Sequence, residues 1–118
     1  MKLQKLISKL EKHHKKKLDL SLGRTFNLLK KLGNPQEKLK NVVTVVGTNA
    51  KASMCYSLRS ILNQAGYKCN LYTSPHLLSY TERYIFNDKE IDEEDLIELL
   101  TDVEKILGDD NATLFEIL

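Results

Sequence analysis

Apolar residues recur at helical spacing at the start of the chain, at Leu3, Leu6, Ile7 and Leu10, with Lys and Glu between them. That rhythm predicts an amphipathic helix over residues 2–16. After a break at Leu18-Asp19-Leu20-Ser21, a second helix is expected to turn Phe26, Leu29 and Leu32 inward. It should stop at Gly33-Asn34-Pro35, a Gly cap with a Pro behind it. Val42-Val43-Thr44-Val45-Val46 is short, β-branched and nearly all apolar, the pattern of a strand covered on both faces within a parallel sheet. A loop, residues 47–53, leads into a third helix with Met54, Leu58, Ile61, Leu62 and Ala65 on its inner face, ended by Gly66. A second strand over 68–72 would complete a right-handed βαβ unit.

Thr73-Ser74-Pro75-His76 reads as a loop, because Pro75 disfavours a helical Ser74. Residues 83–86 suggest a short edge strand closed by a turn at Asn87-Asp88. Asp92 is placed to cap a helix whose face is Leu96, Leu99, Leu100, Val103 and Ile106. The acids from Asp92 to Asp95 suit a helix start better than a metal cluster. Gly108 to Asn111 is a loop, and Thr113 to Leu118 begins a further helix. The pattern predicts an α/β fold: a partial P-loop parallel sheet with flanking helices, preceded by a helical hairpin. The expected division is a hairpin over 1–40 and the first part of an ATP-binding domain over 41–118.

Composition narrows the function classes. The chain has 118 residues, 42% hydrophobic and 29% charged, with a net charge of +2, which gives no overall field for nucleic acid or membrane. No apolar run approaches the roughly 20 residues of a membrane span. The Lys-rich start lacks the apolar stretch of a secretory signal. Cys55 and Cys69 show neither metal spacing nor a disulfide framework and read as small core residues, so a reducing cytoplasm is expected. His13-His14-Lys15-Lys16-Lys17 is expected to be a solvated helix end, where cations suit the dipole.

The chemistry concentrates in the segment Gly47-Thr48-Asn49-Ala50-Lys51-Ala52-Ser53. A strand that empties through a Gly into a loop with a Lys and a hydroxyl, and then a helix, is the layout of a phosphate cradle. Amides and the helix dipole favour an anion, Lys reaches terminal phosphates, and a hydroxyl can meet Mg²⁺. The G-x-x-x-x-G-K-[ST] spacing is not met, since Ala50 precedes Lys51. An ordinary strand-to-helix turn with a solvated Lys stays open on this pattern alone.

The same segment resembles the G-T-N-G-K-G-[ST] loop of the folylpolyglutamate synthase and dihydrofolate synthase family, within the Mur ligase superfamily. Ser60-Ile61-Leu62 and Ala65-Gly66-Tyr67-Lys68 stand at family spacing. Tyr72-Thr73-Ser74-Pro75-His76-Leu77 is similar to the family's Y-[TS]-S-P-H-L, and Thr81-Glu82-Arg83 carries its E-R. Leu18 to Arg24 resembles I-D-L-G-L-E-R, and Leu32 to Pro35 matches L-G-N-P.

The resemblance implies an ATP- and Mg²⁺-dependent ligase. The γ-phosphoryl group passes to a carboxylate of a pterin substrate, and the amine of L-glutamate attacks the acyl phosphate to give an amide. It implies ATP contacts at Gly47, Thr48, Asn49, Ala50, Lys51 and Ser53, with Lys51 as the catalytic clamp on the γ-phosphate. Ser74 would be a metal ligand. Leu18, Asp19, Leu20, Thr73 and Ala112, Thr113, Leu114 and Phe115 would form the site for dihydropteroate or folate. Glu116 falls at the Glu of the family's T-[YF]-F-E, where a structural role is expected, and His76 is either part of the substrate loop or a brace within it.

Two departures qualify the resemblance. Ala50 and Ala52 replace Gly, and a Cβ at positive φ costs roughly 1–2 kcal/mol. The family's E-V-G-L-G-G-R-[LF]-D segment and C-terminal domain are also expected beyond Leu118, so the chain alone is expected to be inactive and prone to self-association, the parent a monomer. A non-catalytic nucleotide-binding or interaction domain and another Mur-type ligase are the alternatives.

Overall fold

The computed structural model describes residues 2–13 and 21–118. The first helix, α1, spans Lys2–His13. Its apolar rhythm buries Leu3, Ile7 and Leu10. The predicted extension over 14–16 lies outside the described residues, as do Lys15 to Leu20. Helix α2 spans Gly23–Lys31. Gly33 donates its N–H to the Lys30 carbonyl and Asn34 donates to Leu29, the paired bonds of a Schellman stop. The inward residue of α2 is Leu28, whereas the predicted Phe26 is exposed. The helix therefore presents a stripe rotated from the one its three largest apolar residues suggested. A 3-10 turn follows at Pro35–Lys38.

Helix α3 spans Lys51–Gln64 and ends in the same way, with Gly66 N–H on Asn63 and Tyr67 N–H on Leu62. Gly66 has φ +87, a conformation that suits a residue without Cβ. Strands β1 (Leu71–Tyr72), β2 (Tyr84–Phe86) and β3 (Lys89–Glu90) follow. Helix α4 covers Glu93–Leu107, and a short α5 covers Leu114–Ile117. Acids in the first turn of α4 complement its dipole. The Asp92 carboxylate itself takes a 2.7 Å bond from Lys89.

The mixture of helices and a small sheet is the expected α/β class, but the sheet is built differently. Its order is β1-β2-β3 and both pairings are antiparallel, with Leu71 opposite Ile85 and Ile85 opposite Glu90. So β2 is central, not an edge. Asn87 and Asp88 both have positive φ, as a two-residue hairpin turn requires. Residues 42–46 form no strand, and Val42, Val43 and Val46 are exposed, Val46 to 83%. The expected βαβ unit is thus not present among the described residues. A strand apolar on both faces needs paired neighbours and two covering layers, and these residues have neither.

The chain divides into two compact units: residues 1–41 with 94–118, and Val42–Glu93. The sequence reading grouped 94–118 with 41–93. Side-chain ties hold them to the first unit instead: Lys9 to Glu104 at 2.8 Å, Lys31 to Asp110 at 2.7 Å and Arg24 to Glu116 at 3.1 Å. Helix α1 also packs against α5. Leu28, Leu96, Leu100, Leu107, Ala112 and Ile117 complete the core of this unit. On α4, Leu107 takes the inward place predicted for Leu99 and Ile106, which are exposed. Among the described residues every buried hydrophobic side chain belongs to the first unit. In the second, only Thr81 and Arg83 are buried.

Candidate functional site

Each candidate residue keeps a local geometry set by its own segment. In the loop before α3, Gly47 has φ +155. A Cβ there would lie 3.8 Å from Lys51 Cγ and 3.9 Å from the Asn49 carbonyl. Those are ordinary contacts, so conformation rather than space selects Gly. Ala50 adopts φ 58, ψ 12 and stands as the N-cap of α3 with no side-chain cap. Ala52 lies within the helix. The two Ala-for-Gly departures therefore differ: the left-handed one is strained by roughly 1–2 kcal/mol and the helical one is not.

The first backbone bond of α3 runs from Met54 N–H to the Ala50 carbonyl at 2.9 Å. The amides of Lys51, Ala52 and Ser53 are thus the free donors of a helix start. With Lys51 beside them, they fit the charge and shape of a phosphate group. Lys51 Nζ donates to the Thr48 carbonyl at 3.4 Å, a long contact that a phosphate oxygen could replace. Thr48, Asn49 and Ser53 are exposed.

The loop 73–76 is held by residue 83 at both ends. Thr73 N–H donates to the Arg83 carbonyl at 2.9 Å, and Arg83 Nε donates to His76 Nδ1 at 3.0 Å. His76 and Tyr80 rings lie 4.1 Å apart, and the guanidinium sits 5.1 Å from the Tyr80 ring centroid, within cation–π range. Ser74, its peptide to Pro75 cis, is exposed between these ties. Glu82 accepts from the amides of Leu77, Leu78 and Ser79 at 2.7–2.8 Å. Those bonds, from Leu77 first, hold its carboxyl below the ordinary carboxylate value. Thr81 donates to Glu90. Burial pushes the Tyr84 hydroxyl up to about 12, with Tyr72 adding to the shift and Arg83 opposing it, so it stays protonated at neutral pH. Sequence reasoning missed Arg83 as the brace; the family E-R pair was the available signal.

In the first unit, Leu18, Asp19 and Leu20 lie outside the described residues. Ala112 is only 2% exposed and belongs to the core, while Phe115 is 70% exposed. Leu114 is half-buried. Thr113 caps α5 in a reciprocal capping box with Glu116. Both Glu116 oxygens accept from Arg24, Nε to Oε2 and the terminal nitrogen to Oε1, each at 3.1 Å. Glu116 is thereby spent on structure.

Among the described residues no group of three or more His, Cys, Asp or Glu side chains could hold a metal ion. The hydroxyls of Ser53 and Ser74 are neutral donors, and a hard divalent cation needs carboxylates or phosphate oxygens beside them. Among the same residues no helix is long and apolar enough to cross a membrane. Cys55 and Cys69 are free and half-buried.

No family model matches the chain. The dihydrofolate synthase/folylpolyglutamate synthase of Escherichia coli K12 is 40% identical over 110 residues, which is 93% of this chain and 26% of that protein. The structure of E. coli FolC in complex with DHPP and ADP superposes with a TM-score of 0.82 at 39% identity, over 98% of this chain and 28% of that one. A bifunctional folylpolyglutamate synthase/dihydrofolate synthase solved with Mn, AMPPNP and L-glutamate bound gives 0.80 at 33% identity, over 98% and 27%. The chain thus spans about a quarter of the length of these relatives. Along nearly all of its own length, in sequence and in fold, it is similar to a stretch of about a quarter of the dihydrofolate synthase/folylpolyglutamate synthases.

Proposed function

We propose that this chain is part of an ATP- and Mg²⁺-dependent acid–amino acid ligase that adds L-glutamate to dihydropteroate or a reduced folate in the cytoplasm. The observation that carries the reading is the segment 47–53, where free helix-start amides and Lys51 converge behind a Gly at φ +155, in a chain that matches FolC over 98% of its length. The amides and Lys51 would hold the β- and γ-phosphates of ATP, with Thr48 and Asn49 lining the loop. Lys51 would neutralise charge that develops as the γ-phosphoryl group leaves ADP for the substrate carboxylate. The glutamate amine then attacks the acyl phosphate, forming an amide and releasing phosphate and a proton. A bound Mg²⁺ would supply further charge neutralisation, with Ser53 and Ser74 as this chain's contributions to holding it.

Thr73, Thr113 and Phe115 are assigned to the pterin substrate, with Leu18, Asp19 and Leu20. Ala112, being buried, would act through its backbone, and half-buried Leu114 would line the site. Val42–Glu93 would be the opening portion of the nucleotide-binding domain. A protein containing this segment at the relatives' full length should release ADP and phosphate from ATP, Mg²⁺, L-glutamate and dihydropteroate. Absence of product with every pteroate and folate tried would overturn the assignment. The strained Ala50 favours a second reading, a nucleotide-binding module with weakened affinity and no turnover, which would bind ATP without releasing phosphate.

A further inference from the structure

We propose that His76 is a ligand-binding hydrogen-bond donor through Nε2–H, and that Arg83 is the positioning residue that fixes it in that tautomer. The inference rests on the reading of loop 73–76 as part of the ligase site. Arg83 Nε has a proton and no lone pair, so its 3.0 Å contact with Nδ1 makes Nδ1 the acceptor. The ring proton then sits on Nε2. Among the described residues no side chain or backbone group accepts from Nε2. A His in this state cannot ligate a metal through Nε2, which lacks a free lone pair, but it can donate to an oxyanion.

The arrangement is costly to build for a residue of no use. Arg83 is 9% exposed, and its side chain is committed to one imidazole and the face of Tyr80. Its carbonyl holds Thr73, at the other end of the same loop. The Tyr80 ring packs against the imidazole at 4.1 Å. The ring is therefore restrained in rotation as well as in tautomer, while the half-buried His76 keeps an exposed neighbour, Ser74, in the loop. The ligand chemistry that matches is an oxyanion, either a phosphoryl oxygen or a carboxylate.

Long-range ¹H–¹⁵N spectra of the 118-residue chain read the tautomer directly. A single Nε2–H form with Nδ1 as acceptor is expected; an Nδ1–H form would overturn the proposal. Arg83→Met should give a mixture of tautomers and Arg83→Lys should restore the single form, whereas a purely structural Arg83 would leave the tautomer unmoved in both. If Arg83→Met does not fold, the wild-type spectrum still decides. Titration with inorganic phosphate and, separately, acetate should shift the Nε2–H signals. A response to phosphate alone marks a phosphoryl contact, a response to acetate alone marks a carboxylate contact, and no response to either overturns the donor role. Zn²⁺ alone should leave the pattern in place, and a ligation shift at Nε2 would refute it. None of these readouts uses turnover, so loss of the ligase assignment and loss of this one are separately visible.

Discussion

Two alanines two residues apart behave differently because backbone conformation, not residue type, decides the cost. Ala50 is left-handed and Ala52 is helical. Ala50→Gly should relieve the strain of about 1–2 kcal/mol, less about 0.5–1 kcal/mol for the freedom Gly adds to the unfolded chain. Ala52→Gly should instead cost about 0.5–1 kcal/mol. Urea midpoints that move in opposite directions would bear this out, and two shifts of the same sign would contradict it. Lys51 is the second test at this scale. In the longer protein, Lys51→Ala should lower kcat/KM by roughly 10²–10³-fold while leaving the circular dichroism unchanged, since among the described residues its amine bonds only the Thr48 carbonyl. Near-normal kcat/KM would remove the loop from the γ-phosphate. The sequence made the loop legible because Gly47, Lys51 and Ser53 announce their chemistry. It left the sign of φ at 50 open, because φ is fixed by the turn into α3 and not by the alanine.

The helices were legible where one apolar stripe decides a face, as in α1, and less so where several apolar residues compete for it. On α2, Phe26 lost to Leu28, and on α4 Leu107 took the place read for Leu99 and Ile106. Tertiary ties chose those faces, and such ties have no periodicity. The same holds for Arg24 and Glu116, 92 residues apart, with side chains 17% and 11% exposed. Burial pushes the Glu116 carboxyl up, but the Arg24 guanidinium and the Thr113 amide outweigh it, and its pKa falls below the ordinary 4.5. A carboxylate lowered on folding stabilises the fold fully above about pH 4.5. That contribution is lost as pH falls through the lowered value. Asp110, lowered chiefly by its hydrogen bond from Lys31, acts in the same direction. Glu116→Gln should therefore lose about 1.5–3 kcal/mol at pH 7, with the gap to wild type narrowing below about pH 4.5. A gap that stays constant between pH 3 and 7 would show that the pair carries no net charge coupling.

At the scale of the molecule, the two units are unequal in what holds them together. The first has a core of Leu and Ile side chains from α1, α2, α4 and α5 together with Ala112, and full burial of residues such as Ile7 and Leu10 contributes about 1.5–3 kcal/mol each. The second is braced by polar ties: Arg59 Nε to the Cys69 carbonyl at 3.2 Å, Asn63 to Asp88 at 2.6 Å, and the Glu82 and Arg83 networks. Val42, Val43, Val46, Met54 and Ile61 remain exposed on it. The sequence predicts Val42 to Val46 as a covered strand of a parallel sheet and Met54 and Ile61 on the inner face of the following helix, and their composition still asks for burial. Burial is a property of partners as well as of residues, and relatives nearly four times as long have further chain with which to supply them. We therefore expect the 118-residue chain to melt in two steps, the Val42–Glu93 unit at the lower temperature, and to self-associate through that unit as concentration rises. It should bind ATP·Mg²⁺ weakly, because Ala50 is strained and among the described residues no metal-ligating cluster is present. Calorimetry and sedimentation velocity of the purified chain test both. A sharply melting monomer that binds ATP at micromolar concentration would contradict the reading of an incomplete ligase, and would favour a self-contained nucleotide-binding module instead.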